Sequence, residues 1–209
     1  MPPDARPLLA LAPVIPVLTI KDAAVAVPLA RALVAGGLPV IEVTLRTPAA
    51  LDAIRAIARE VPEAVVGAGT ITRVEDIQAA TAAGSRFLVS PGTPAALAEA
   101  LAEVPVPVLP GCATVTEAMA LAARGFTALK FFPAEPSGGA AFLKSLSGPL
   151  PGLVFCPTGG IDVAKAPTYL ALANVGAVGG SWIVPDDALA SGDFARIAAL
   201  ARAARALRP

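Results

Sequence analysis

The feature that most constrains the fold is a short apolar segment that recurs eight times along the 209 residues. Successive segments begin 19 to 26 residues apart, at 14–18, 40–44, 64–67, 87–90, 106–109, 128–131, 154–156 and 175–178. None alternates regularly between apolar and polar residues, which is typical of parallel strands covered on both faces. We therefore predict eight parallel strands.

Helix signals separate these segments. Capping signals stand at three predicted helix starts: Thr47-Pro48, Thr72 with Glu75, and Thr114 with Glu117. Glycine stands at three predicted helix ends, at positions 36, 84 and 125. Pro28 falls inside the helix expected after Asp22, where it would remove a hydrogen bond and kink the chain.

Eight strand–helix units favour a closed (β/α)8 barrel, the TIM-barrel fold. We expect a single α/β domain over residues 1–209, with a short segment, residues 1–13, before the first strand. A doubly wound sheet, the alternative, would carry Gly-x-Gly-x-x-Gly after its first strand. The chain reads Val-Leu-Thr-Ile at 17–20, and its nearest match, Gly-Ala-Gly-Thr at 67–70, lacks the third glycine.

The chain contains no histidine, which restricts its chemistry. Histidine-dependent triads, histidine metal ligands and histidine proton shuttles are excluded, and two cysteines cannot close a structural zinc site. We therefore expect neither a metal nor a cofactor. The 16 basic and 16 acidic side chains balance, and no basic stripe favours nucleic acid or an anionic membrane.

Two further features bear on location. Residues 166–185 carry no charge but include proline, asparagine and three glycines, so we predict a buried helix and strand there instead of a membrane span. We expect Cys112 and Cys156 to be reduced, because two cysteines form no disulfide framework. With no charged-then-apolar leader, a cytoplasmic protein is predicted.

Two charged residues lie in apolar predicted strands. Lys130 follows Ala-Leu in the sixth strand, and Glu42 lies in the second. In such barrels the active site forms at the carboxyl ends of the strands. A buried lysine that loses its proton is a nucleophile for carbonyls, and a buried carboxyl can transfer protons. The alternatives are a lysine that reaches solvent, and a Glu42 that forms a structural ion pair with Arg46 or Lys130.

Glycine pairs at 159–160 and 179–180 follow the seventh and eighth predicted strands. Loops at these two positions of a barrel often bind phosphate, because bare backbone N–H groups can approach an anion. Simple turn glycines are the alternative. Their occurrence in both loops favours a phosphate site.

Six motifs occur in order over nearly the whole chain: EVTLR at 42–46, VGAGT at 66–70, SPG at 90–92, LKFFPAE at 129–135, CPTGGI at 156–161 and GGSW at 179–182. Together they resemble the family of 2-keto-3-deoxy-6-phosphogluconate (KDPG) and 4-hydroxy-2-oxoglutarate (KHG) aldolases. The resemblance implies a class I aldolase, commonly a homotrimer, that cleaves KDPG to pyruvate and glyceraldehyde 3-phosphate. Activity on KHG could coexist.

The resemblance also implies residue roles. Lys130 matches the Schiff-base lysine and Glu42 the proton-transfer glutamate. The substrate-binding residues it implies are Arg46 and Thr70 for the carboxylate, Pro91 and Phe132 for the pyruvate pocket, and Thr158, Gly159, Gly160, Gly180 and Ser181 toward the phosphate. One departure is Ala113, where relatives often carry serine, which could alter the strand-five side of the pocket.

Two other functions remain open. A sister aldolase would act on 2-keto-3-deoxy-6-phosphogalactonate, although Arg46 directly after Leu45 favours the gluconate branch. A non-catalytic phosphosugar-binding barrel would require Glu42 and Lys130 to be coincidental. We expect a small phosphorylated keto acid as the binding partner, with no nucleic acid and no membrane.

Overall fold

The strands run parallel and form a curled sheet in two parts. The structure, a computed structural model, describes residues 1–208. Its strands are β1 (Val14–Leu18), β2 (Val40–Thr44), β3 (Val65–Gly69), β4 (Leu88–Val89), β5 (Val108–Leu109), β6 (Gly111–Cys112), β7 (Ala128–Phe131), β8 (Val154–Pro157) and β9 (Val178–Gly180). Six of them pair in the order β5-β4-β3-β2-β1-β9, and three in the order β6-β7-β8.

Helices follow most of the strands. They are α1 (Arg6–Ala10), α2 (Ala26–Ala35), α3 (Ala50–Glu60), α4 (Val74–Ala82), α5 (Ala95–Ala102), α6 (Val115–Ala122), α7 (Gly139–Leu146), α8 (Ala166–Leu170), α9 (Asp186–Ser191) and α10 (Phe194–Arg205). In residues 1–208, no helix is long and apolar enough to cross a membrane. The uncharged stretch 166–185 contains α8 and β9, so the prediction of a helix and a strand is confirmed.

All eight apolar segments contribute to strands. The first, second and sixth have the predicted bounds, and the third begins one residue later, at Val65. The fifth contains β5, and strand pairing resumes after Pro110 in β6, beyond the predicted segment, because proline has no N–H to donate. The eighth is shifted, since β9 begins at Val178 and Val175 forms only an isolated bridge to Phe155.

Contacts also join the two parts of the sheet. The Lys130 amide donates to the Pro110 carbonyl at 3.0 Å, next to the break between β5 and β6. On the other side, Thr158 and Gly179 form an isolated parallel bridge between the ends of β8 and β9.

The core has two layers, and α1 takes part in the inner one. Apolar residues between the sheet and the helices form the larger cluster. A second cluster joins Leu8 and Leu9 of α1 to Ile15, Val40 and Ala128, which lie at or near the amino ends of their strands. The segment 1–13 therefore contains a helix that covers the amino ends, and the carboxyl ends remain open.

One of the three predicted caps is confirmed. Glu117 N donates to Thr114 Oγ1 at 3.2 Å, and Thr114 N donates to Glu117 Oε2 at 2.9 Å. The pairing of Thr72 with Glu75 is wrong: α4 begins at Val74, so Asp76 is the third helical residue and accepts from Thr72 N at 3.0 Å.

The starts of α2 and α3 also differ from the prediction. Thr47 is not the N-cap of α3, because Ala49 is, and the Thr47 hydroxyl donates instead to the Ile20 carbonyl. Pro28 removes no hydrogen bond from the middle of a helix. A 3-10 turn (Ala23–Val25) precedes α2, so Pro28 lies in the first α-helical turn, where an N–H would have no helical partner.

Candidate active site

The site is centred on an ion pair between Lys130 of β7 and Glu42 of β2. Lys130 Nζ donates to Glu42 Oε1 at 3.1 Å. The two side chains are only 5% and 4% exposed, so this lysine does not reach bulk solvent. Residues 88 positions apart in the chain meet because parallel strands aim alternate side chains at the interior of a curved sheet.

A glycine on β3 provides the space for this carboxylate. A Cβ on Gly69 would lie 2.1 Å from Glu42 Oε1, and one on Gly67 would lie 2.4 Å from the Phe87 ring. The Gly-x-Gly spacing of β3 therefore serves close approach of neighbouring side chains. Two buried charges stabilise each other only as a pair, because removal of one would leave the other buried without a counter-charge.

A second charged group stands at the mouth of the site. Arg46 lies two residues after the end of β2, and its Nε donates to Thr70 Oγ1 at 3.0 Å. Thr70 has a φ of +62°, and it is the one non-glycine residue among 1–208 with a positive φ. That backbone conformation costs free energy for a threonine, and such conformations cluster at functional sites.

A cavity of about 270 Å³ lies beside the ion pair. Eight of the predicted site residues line it: Arg46, Lys130, Phe132, Thr158, Gly159, Gly160, Gly180 and Ser181. The ring centroid of Phe132 is 5.4 Å from Lys130 Nζ. Glu42 and Thr70 contact lining residues through their hydrogen bonds, so the structure brings ten of the predicted residues together.

Pro91 and Ala113 are not among the lining residues of this cavity. A Cβ on Gly111 would lie 2.4 Å from the Pro91 carbonyl oxygen, so the start of β6 touches the backbone of the segment that follows β4. The Ala113 amide donates to Glu117 Oε2 at 2.8 Å, within the cap of α6.

Sequence reasoning missed Thr19, which also lines the cavity. Its hydroxyl is 3.1 Å from that of the buried Thr44, which donates to the Leu18 carbonyl at 2.9 Å. Thr19 directly follows β1, so the rule that selected the ends of the other strands would have found it.

The loop after β8 presents unpaired backbone donors. Gly159 and Gly160 both have positive φ, +104° and +78°. Within residues 1–208, the N–H groups of Gly159, Gly160 and Ile161 make no hydrogen bond. Successive free N–H groups of this kind form concave anion-binding sites. The space around these glycines is not all cavity: a Cβ on Gly160 would lie 2.8 Å from the Glu135 side chain, and one on Gly180 1.8 Å from the Trp182 ring.

Both cysteines are free and buried. Cys156 pairs in register with Lys130, and burial raises the pKa of its thiol to about 12. Burial likewise raises the pKa of Cys112 to about 12, so both thiols stay protonated at neutral pH. Residues 1–208 contain no cluster of three or more histidine, cysteine, aspartate or glutamate side chains that could hold a metal ion.

Comparison with known proteins agrees with this geometry. The family model for KDPG and KHG aldolase matches residues 6–200. A KHG/KDPG aldolase of Escherichia coli (strain K12) is 50% identical over 201 residues, which cover 96% of this chain and 94% of that protein. The chain belongs to the KDPG and KHG aldolase family.

Solved structures of aldolases extend the match to the fold. A KDPG aldolase from Legionella pneumophila, with pyruvate captured as a covalent carbinolamine intermediate, superimposes with a TM-score of 0.94 at 42% identity, over 97% of this chain and 98% of that one. A KDPGal structure superimposes with a TM-score of 0.83 at 25% identity, over 93% of each chain. The aldolase fold is thus shared with both, and the sequence is nearer to the first.

Proposed function

We propose that this protein is a class I aldolase that cleaves KDPG to pyruvate and glyceraldehyde 3-phosphate through a Schiff base on Lys130. The observation that carries the proposal is the buried pair of Lys130 and Glu42, 3.1 Å apart beside the cavity. A lysine becomes a nucleophile when a neighbour can take its proton, and Glu42 is that neighbour.

Schiff-base formation follows from this pair. Glu42 accepts a proton from the Lys130 ammonium, and the free amine attacks the C2 carbonyl carbon of the substrate. Glu42 then returns the proton to the carbinolamine hydroxyl, which leaves as water. The products of this stage are an iminium on Lys130 and an ionised Glu42, and charge is conserved throughout.

Cleavage uses the same two groups. Glu42 removes the proton of the C4 hydroxyl, the C3–C4 bond breaks, and its electron pair moves into the iminium to form an enamine. Glyceraldehyde 3-phosphate departs, and Glu42 protonates C3 of the enamine. Water then hydrolyses the iminium and releases pyruvate. General acid–base catalysis of this type contributes roughly 10²–10⁴-fold in rate.

The remaining lining residues orient the substrate. The Arg46 guanidinium, anchored on Thr70, would hold the carboxylate, and the Phe132 ring would cover the pyruvyl group. The free N–H groups after Thr158, together with Gly180 and Ser181, would bind the phosphate. Pro91 would act only through the backbone contact it makes with Gly111.

We propose KHG as a second substrate of the enzyme. The groups that act on C2, C3 and C4 do not contact the phosphate end, so a shorter keto acid can react at Lys130. The lower identity to the KDPGal structure, 25% against 42%, supports the gluconate epimer as the main substrate.

We also infer the larger organisation. Closure of the sheet into one (β/α)8 barrel, as a single domain over residues 1–209, is supported by the single-residue break at Pro110 and the bridge from Thr158 to Gly179. A homotrimer is supported by the exposed apolar side chains of Val115 and Met119 on α6, and sedimentation velocity tests it. The two free thiols fit a reducing, cytoplasmic compartment.

Borohydride reduction in the presence of pyruvate tests the proposal. Mass spectrometry of the digested protein should locate one reduced pyruvyl group on Lys130. An adduct on Lys21, Lys144 or Lys165, or no adduct, would contradict it.

A further inference from the structure

Three side chains outside the cavity converge on the loop at 159–160. Lys165 Nζ lies 2.9 Å from Glu135 Oε2 and donates to the Gly160 carbonyl at 3.0 Å. The hydroxyl of the buried Tyr169 donates to Glu135 Oε1. We call Glu135, Lys165 and Tyr169 the loop brace. None of the three lines the catalytic cavity.

The loop brace completes a pattern in the backbone. The amides of Ala134 and Glu135 donate to the carbonyls of Thr158 and Gly159, at 2.8 and 3.1 Å. Since Lys165 donates to the Gly160 carbonyl, the three consecutive carbonyls of residues 158–160 all accept hydrogen bonds. Their donors lie just after β7 and just before α8. Within residues 1–208, the N–H groups of Gly159, Gly160 and Ile161 have no hydrogen-bond acceptor.

Such an arrangement needs support from its surroundings. Glycine has the largest backbone freedom of any residue, so two adjacent glycines would otherwise sample many conformations. The Glu135 stem contacts Gly160 so closely that a Cβ there would lie 2.8 Å away. The hydrogen bond from Tyr169 and the ion pair with Lys165 hold the pKa of Glu135 below its usual value, so the carboxylate stays charged at neutral pH.

We propose that Lys165, held by Glu135 and Tyr169, is a positioning residue that orients the loop 159–160 toward the phosphate of the substrate. The inference rests on the proposed function and adds a specificity role for residues that do not contact substrate. A preorganised anion site binds more tightly, because the loop is already ordered before the ligand arrives.

The test compares Lys165→Met with Lys144→Met. Lys144 is an exposed lysine of α7 that makes no ion pair within residues 1–208, so its variant is the matched control. Both variants are assayed with KDPG and with KHG, which has no phosphate. Lys165→Met should raise KM for KDPG about 10-fold, as expected for loss of one hydrogen bond from a charged group, with kcat changed less than about 2-fold. Its kcat/KM for KHG should stay within about 2-fold of the parent value.

Two further variants test the mechanism of support. Lys165→Arg keeps a charged donor, so its KM for KDPG should lie close to the parent value. Tyr169→Phe keeps the buried ring but removes the hydrogen bond to Glu135, so it should raise KM for KDPG about 3-fold. Equal losses with both substrates would indicate a general structural role, and unchanged constants for KDPG would indicate no role. Either result overturns the proposal.

A binding measurement separates this inference from the proposed function. Inorganic phosphate is titrated into the parent protein and the Lys165→Met variant, and NMR follows the amides of Gly159 and Gly160. Weaker phosphate binding by the variant supports the loop brace even if Lys130 traps no pyruvate. Equal binding by both proteins overturns it, even if the aldolase reaction is demonstrated.

Discussion

Gly69 and Glu42 are in such close contact that a Cβ on the glycine would lie 2.1 Å from the carboxylate oxygen that pairs with Lys130. A side chain at position 69 would therefore displace the proposed proton-transfer group. The position of Glu42 depends on a neighbouring strand as much as on its own.

Gly69→Ala should lower kcat by about 10²-fold, because a displacement of about 1 Å in a catalytic group has an effect of this size. Borohydride trapping of pyruvate on Lys130 should remain detectable. Gly148→Ala is the control, since no atom lies within 4 Å of a Cβ there. A Gly69→Ala enzyme with parent kcat would show that Glu42 has room to move without loss of function.

Glu42→Gln should lower kcat roughly 10²–10⁴-fold, since it retains the shape of the side chain but removes the base. Trapping on Lys130 should become slower and stay measurable, whereas Lys130→Met should abolish both turnover and trapping. Steady-state kinetics and mass spectrometry check both outcomes. Near-parent kcat in Glu42→Gln would assign proton transfer to water or to a threonine.

The buried ion pair also predicts a pattern of stability. Lys130→Met should lower the free energy of unfolding by about 3–5 kcal/mol, because Glu42 would be left buried without its partner. Addition of Glu42→Gln should restore part of that loss. Urea titration of the parent, both single variants and the double variant checks this coupling. Additive losses would mean that the two charges do not stabilise each other.

Catalysis by a lysine Schiff base needs no metal, so activity should survive prolonged dialysis against EDTA. The measurement is the rate of pyruvate formation before and after treatment, with a metal-dependent aldolase treated alongside as the control. If activity disappears and Mg²⁺ or Zn²⁺ restores it, the proposed reaction class is wrong.

The two thiols should be unreactive in the folded protein. Burial raises the pKa of Cys112 and Cys156 to about 12, so thiolate is scarce at pH 8 and the sulfur atoms are shielded. A chromogenic disulfide reagent should modify neither thiol until a denaturant is added, and both thereafter. Because the pKa values are raised, reactivity in the folded state should increase only as the pH approaches 12. Rapid labelling at pH 8 would show that the core opens readily.

Much of the fold was predictable from the sequence because its strands are signalled locally. The segments at 14–18, 40–44 and 128–131 form strands with the predicted bounds, because a short run of apolar residues already indicates a buried strand. Lys130 and Glu42 could be selected for the same reason, because a charged residue in an apolar strand is conspicuous without knowledge of its partner.

Only the tertiary structure decided which distant groups meet. The sequence does not indicate that Gly69 makes room for Glu42, that Pro91 lies outside the lining of the cavity, or that Lys165 reaches the Gly160 carbonyl. A helix start that differs by one residue was enough to give Asp76 the capping role predicted for Glu75. Periodicity and burial are properties of a short segment, whereas a contact between strands depends on register and curvature, which are set by the packing of the whole sheet.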